Sequence, residues 1–210
     1  MHTTTVDPNH IPVRQALDEE VARAELYGVL ATLYYAPPDD ALLARLRAAV
    51  TEAPVAGAFL EEPWRALVAR AREASADAIR DEYEALFIGV GRPAVHLYAS
   101  HYLSGFLNDK PLAALRDDLA RLGLARDDAM PETEDHIAYL CEVMRYLIAG
   151  DDAAVCNLTQ QQAFFARHLH PWVPALCDAI EREPQSRFYA ALAGLTRAFV
   201  AVEAQAFDML

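Results

Sequence analysis

The sequence predicts an all-α protein: a single helical domain of roughly eight or nine helices joined by short loops. Three observations lead there. Apolar residues recur at spacings of three and four along nearly the whole chain, and no stretch alternates apolar and polar side chains as a half-buried strand does. Proline and glycine fall between these periodic segments, where they start and stop helices. The chain has 210 residues, 54% apolar and 23% charged, enough for one sizeable core and too apolar for a disordered chain. Residues 1–13 read as a flexible arm, and 14–210 as the helical domain, with a hinge candidate in the acidic loop 124–130.

Taken in order, the first helix runs from Arg14 with Leu17, Val21, Ala24, Tyr27, Gly28, Ala31 and Tyr34 inward, and Pro37-Pro38 stops it. Asp39-Asp40 starts a short helix with Leu42, Leu43, Leu46 and Val50 inside, closed by Pro54. Glu62-Pro63 opens one long helix carrying Trp64, Leu67, Val68, Ala71, Ala74, Ala78, Ile79, Tyr83 and Leu86. Phe87 to Ser100 does not read as helix, because Gly89, Gly91 and Pro93 break the period; its large apolar residues predict a loop that packs. His101 to Leu107 has room for a turn or two. Pro111 opens a helix with Leu112, Leu115, Leu119 and Leu122, ended by Gly123.

The stretch from Met130 to Gly150 is the most amphipathic. Pro131 suits a first helical position, and Glu132, Glu134 and Asp135 put negative charge where the helix dipole favours it. Ile137, Leu140, Cys141, Met144, Leu147 and Ile148 form the apolar stripe, with Asp135-His136 at its edge. Asp151-Asp152 start a further helix burying Val155, Leu158, Phe165 and Leu169. Pro171 to Pro174 turns into a short helix through Ile180. The last helix runs from about Ser186 with Phe188, Tyr189, Leu192, Leu195, Phe199 and Val202 inward.

Charge and cysteine content narrow the function. The formal charge is −13, from 31 acidic and 18 basic side chains, which disfavours nucleic acid and suits a basic partner. Lys110 is the sole lysine. Cys141, Cys156 and Cys177 are odd in number and lack CxxC spacing, so they are neither a disulfide framework nor a zinc site. A reducing cytoplasm is the compartment they fit. The first residues lack a signal-peptide pattern, and no apolar run reads as a membrane span.

The enzyme readings find little support. Glu132 and His136, four apart, share a helical face and supply two metal ligands, but the chain has no Glu-x-x-His and no second such pair. On a helix, Asp135 and His136 diverge by about 100° and cannot form a triad. Gly89-Val90-Gly91 lacks the lysine and the strand of a phosphate loop. A binding module remains: an acidic helical body whose apolar floor takes an apolar peptide and whose rim selects basic flanks.

Several motifs together resemble one family. Glu82-Tyr83-Glu84-Ala85-Leu86-Phe87-Ile88-Gly89-Val90-Gly91, with Tyr98-Ala99-Ser100-His101-Tyr102 soon after, is similar to the signature of the TorD/DmsD redox-enzyme maturation chaperones. Pro131 through Ile137 resembles that family's central motif, and Gln162 to Phe165, His168 to Trp172 and Phe188 to Phe199 agree in the right order. The resemblance covers nearly the whole chain after residue 14. It departs at the additional acids Glu132 and Glu134, and at Ala138, where glycine is common in the family.

The resemblance implies an all-helical, non-catalytic, cytoplasmic chaperone. Its partners would be the twin-arginine signal peptide and the apoprotein of a molybdoenzyme catalytic subunit, held until cofactor is inserted and export is allowed. It implies client contact by Asp135 and His136. Glu132 and Tyr139 join them as expected contact residues, and Glu82, Tyr83, Phe87, Gly89, Tyr98, Ser100, Tyr102, His168 and Trp172 are expected to shape the groove. No cofactor or metal is expected beyond the weak guanine-nucleotide binding that the resemblance to some family members allows, and the chain is expected as a monomer or a helix-swapped dimer. Two alternatives accompany this reading: an assembly scaffold that binds the folded enzyme rather than its leader, and a helical metalloenzyme using Glu132, Asp135 and His136.

Overall fold

The computed structural model describes residues 13–51, 60–127 and 129–209; the expected arm at 1–13 lies outside the described residues except for Val13. Among the described residues there are ten α-helices and no sheet, so the all-α expectation holds with more helices than predicted. They are α1 (Val13–Tyr35), α2 (Asp40–Ala48), α3 (Glu61–Glu73), α4 (Ala76–Tyr83), α5 (Ala99–Ser104), α6 (Lys110–Arg121), α7 (Ile137–Ala149), α8 (Leu158–His168), α9 (Val173–Arg182) and α10 (Phe188–Asp208).

The core forms where α1 crosses α7 and where α10 lies against α9, α3 and α4. Tyr27, Leu30, Leu33 and Tyr34 of α1 meet Leu140, Met144 and Leu147 of α7 in one buried cluster with Leu192, Leu195 and Phe199 of α10. Inside it, Glu203 of α10 is buried yet satisfied: Arg23 holds it with two hydrogen bonds of 2.7 and 2.8 Å, and the Tyr27 hydroxyl donates a third at 3.0 Å. A carboxylate can be buried at this depth because its charge and lone pairs are both matched. Helix α10 is long and apolar enough to cross a membrane, contrary to the expectation from sequence. Here Phe188, Tyr189, Leu192, Leu195 and Phe199 on it are core residues.

Four predicted boundaries move, each for a local reason. The long helix from Glu62 to Leu86 is broken, because Ser75 accepts a hydrogen bond from the Ala78 N–H and caps a new helix, α4. Residues 84–88 then continue as a single π-type turn ending at Gly89, which has φ +63°; a Cβ there would come within 2.1 Å of the Arg92 carbonyl oxygen. Helix α2 stops at Ala48, leaving Val50 exposed, and Pro54 lies outside the described residues. Helix α8 begins at Leu158 under an Asn157 cap rather than at Asp151, and Leu158 is exposed. The start of α7 also differs, and that difference builds the site.

Candidate functional site

Helix α7 begins at Ile137, not at Pro131. Residues 131–135 form a turn-rich approach, and His136 is the N-cap: its Nδ1 accepts from the Ala138 N–H at 3.2 Å. The acids expected in the first helical turn therefore lie before the helix and have partners elsewhere in the chain. Asp135 accepts from the Ser100 N–H at 2.9 Å and from the Thr133 hydroxyl at 2.7 Å. Its carbonyl accepts from the Ala99 N–H, and the Ile137 N–H donates to the Leu97 carbonyl. Tyr98 and His136 thus form an isolated antiparallel bridge. Helix α5 has no capping side chain of its own at Tyr98; Asp135, far along the chain, supplies one.

This knot is sealed. Asp135 is 1% exposed and His136 4%. Burial drives the His136 imidazole down to about 4, against the opposing pull of Glu132 and Asp135, so it is neutral at physiological pH. Glu132 accepts a short hydrogen bond from the Tyr98 hydroxyl. Burial, followed by that hydrogen bond and the Glu132 charge, pushes the Tyr98 phenol well up. The shared helical face expected for Glu132 and His136 does not exist, and the three side chains named as alternative metal ligands each have a protein hydrogen-bond partner. Ser100 is buried, with its backbone held by Asp135.

The remaining groove-shaping candidates fall into two further groups. Glu82 accepts from the N–H groups of Arg187, Phe188 and Tyr189 at 2.8, 3.1 and 2.8 Å, so it caps α10 from another helix. Phe87 sits edge-on to both Tyr83 and Tyr189, and Gly89 closes the turn beneath them. Tyr83 donates to the Tyr35 carbonyl at 2.7 Å, fixing the end of α1. Burial and then the Glu132 charge raise its phenol to about 12. In the third group, Tyr102 stacks on Trp172, whose indole N–H donates to the His168 carbonyl, and His168 pairs with Asp118 at 2.7 Å. These are structural contacts that set helix positions.

The open feature lies on the other side of α7. A groove of about 680 Å³ runs between α1, α7 and residues 124–127 and 130. Its α7 wall is a second apolar stripe, Tyr139, Val143 and Tyr146, spaced four and three apart and so on one face. Ala31 and Tyr35 of α1 and Leu124 and Met130 of the loop complete the apolar lining. Tyr35, Met130 and Tyr146 are 42%, 40% and 38% exposed, which makes this lining accessible to a partner. Acidic Glu134, Glu142 and Asp127 stand on the rim. Burial works to raise the Glu134 carboxyl, but Arg116, bound to it by two hydrogen bonds of 2.9 Å, holds it below its ordinary range.

Of the four residues expected to meet a client, only Tyr139 lines this groove. Asp135, His136 and Glu132 are next to it in sequence but face the opposite way, into the knot. The two regions touch through a run of rings: Tyr98 to His136 (5.1 Å), His136 to Tyr139 (5.9 Å) and Tyr139 to Tyr35 (6.0 Å). Sequence reasoning missed Tyr35, Val143, Tyr146, Leu124 and Met130. The signal was present, since α7 carries more apolar residues than one core-facing stripe requires.

Comparison with known proteins agrees with this architecture. A family profile described as "Nitrate reductase delta subunit" matches residues 55–178, more than half of the chain. The chain belongs to this family, that of the TorD-type chaperones. It is similar to Chaperone protein TorD of Vibrio cholerae serotype O1 (strain M66-2), 26% identical over 205 residues, covering 90% of this chain and 93% of the relative. It is similar to Chaperone protein TorD of Shewanella loihica, 28% identical and covering 88% and 92%, and to Chaperone protein YcdY of Escherichia coli, 28% identical and covering 80% and 86%. These relatives are chaperones, and this TorD-type protein is not an enzyme.

Proposed function

We propose that this chain is a cytoplasmic chaperone that binds the twin-arginine signal peptide and the apo form of a molybdenum-cofactor oxidoreductase catalytic subunit, assisting cofactor insertion and delaying export. The observation that carries the reading is the second stripe of α7, Tyr139, Val143 and Tyr146, lining an open apolar groove. A leader with a basic segment followed by a moderately apolar one matches an apolar floor inside a body of charge −13. Asp135 and His136 serve this site indirectly, by fixing where α7 starts and hence where Tyr139 stands. Leu124 and Met130 add to the apolar wall of this groove opposite α7, with the Arg126 guanidinium donating to the Met130 carbonyl.

Calorimetry with a synthetic twin-arginine leader tests this. The wild-type chain is expected to bind it, more weakly as salt rises. Tyr146→Ser, which removes an exposed member of the stripe, is expected to reduce affinity by about tenfold while leaving the melting temperature nearly unchanged. Undiminished binding by Tyr146→Ser rules the groove out. Capture of the folded, leaderless enzyme in preference to the leader would favour the scaffold alternative.

A further inference from the structure

The groove does not end at the tyrosines. A second compartment, about 520 Å³, opens between α1, α2 and α7, and it shares Thr32, Glu142 and Arg145 with the first. The two volumes are therefore neighbours, with Thr32 and the Glu142–Arg145 pair common to both. Their linings differ in balance: the first has a floor of Ala31, Tyr35, Tyr139, Val143 and Tyr146 with Arg126, Asp127 and Glu134 besides the shared pair, whereas in the second Glu25, Arg45, Glu142 and Arg145 stand among fewer apolar side chains. At the junction, Arg145 donates to Glu142 through Nε, with a second nitrogen also at 2.8 Å.

The sequence has made room for this pair. Gly28 lies inside α1, where glycine costs about 1 kcal/mol relative to alanine in helix propensity. A Cβ at Gly28 would lie 3.1 Å from Cδ and 3.8 Å from Nε of Arg145, and nothing else comes within 4 Å. The glycine lets the Arg145 stem lie against α1 with its guanidinium on Glu142. Both members of the pair are about half exposed, and an exposed pair three residues apart on a helix is weak. Another cation can replace Arg145 on Glu142 without dismantling the core.

We propose that Arg145 is a built-in stand-in for a client arginine: the basic segment of the leader lies in the charged compartment, displaces Arg145 from Glu142 and is flanked by Glu25, while the apolar segment fills the adjoining groove. This inference rests on the leader-binding reading and adds to it a polarity and a selecting residue. With Arg145 in place the charges of the second compartment balance, two acids against two arginines; once Arg145 swings to solvent, the compartment carries a negative excess that only a cation relieves.

The test uses the full chain and two synthetic peptides, one with an arginine pair ahead of a leucine/alanine-rich segment and one with glutamines in place of the pair. Arg145→Ala removes the internal competitor and is expected to tighten the arginine peptide by about twofold, the effect of losing one exposed helical pair. Gly28→Ala, which crowds the stem, shifts binding the same way by less, and Arg145→Lys stays near wild type. Glu142→Gln is expected to weaken the arginine peptide by about fivefold. The glutamine peptide is expected to respond to none of these, and thermal melts verify that each variant is folded. Equal changes for both peptides, or none for either, overturn the stand-in role while leaving the groove reading intact. A wild-type chain that binds neither peptide overturns both.

Discussion

The Asp135–His136 knot and the α1/α7 groove lie on either side of the start of one helix, and they are opposites. The knot is nearly inaccessible, dense in hydrogen bonds and built from residues that look chemically active. The groove is open, and its apolar lining is tyrosine, valine, leucine and methionine. The residues that draw the eye in the sequence hold the frame, and the surface available to a partner is made of residues that attract no notice. Glu82 teaches the same lesson at the far end of the fold: a carboxylate in a signature-like motif caps three N–H groups of α10.

If the knot is structural, breaking it must cost stability first. Asp135→Ala leaves the buried Ser100 N–H and the Thr133 hydroxyl without their acceptor, and is expected to lower unfolding free energy by about 3 kcal/mol in a denaturant titration. Glu82→Ala, which uncaps α10, is expected to cost about 2 kcal/mol. The groove variant Tyr146→Ser must behave in the opposite way, losing peptide affinity with stability within about 0.5 kcal/mol of wild type. A destabilised Tyr146→Ser beside an undisturbed Asp135→Ala would invert the comparison.

A smaller effect sharpens it through pH. The His136 imidazole is held near 4 in the folded chain against 6.5 when unfolded. Between those values the unfolded chain binds more protons, so this residue's contribution to stability is fully present above about 6.5 and is lost as pH falls toward 4. Melting temperature is expected to decline across that window, and less steeply in His136→Asn. Identical slopes in the two proteins would mean that the imidazole is not buried in its neutral form.

Much of the fold was legible in sequence because its signals are local. Asp39 accepts from the Leu42 N–H as a cap should, Pro111 stands in the first turn of α6, and Gly123 takes the positive φ of +71° that follows a helix. The failures have a common cause. Pro131, Glu132, Glu134 and Asp135 have the composition of a helix start, but the partners of three of them, Tyr98, Arg116 and Ser100, are distant in sequence, and those bonds outweigh local propensity. The break at Ser75 was readable from its cap preference but was hidden by an apolar period that continues through it. Tyr139, Val143 and Tyr146 were readable as a stripe, whereas only the packing of α1 across α7 shows that they line a groove.

Hydrogen exchange on the full chain, with and without bound twin-arginine leader, tests the division between frame and groove most directly. The account predicts that the peptide slows exchange along residues 31–35, 138–146 and the 124–130 loop, while the amides of Ser100 and Ile137, already bonded in the knot, keep the protection they have in the free protein. New protection centred on residues 98–101 and 135–137, with the groove unchanged, would contradict it.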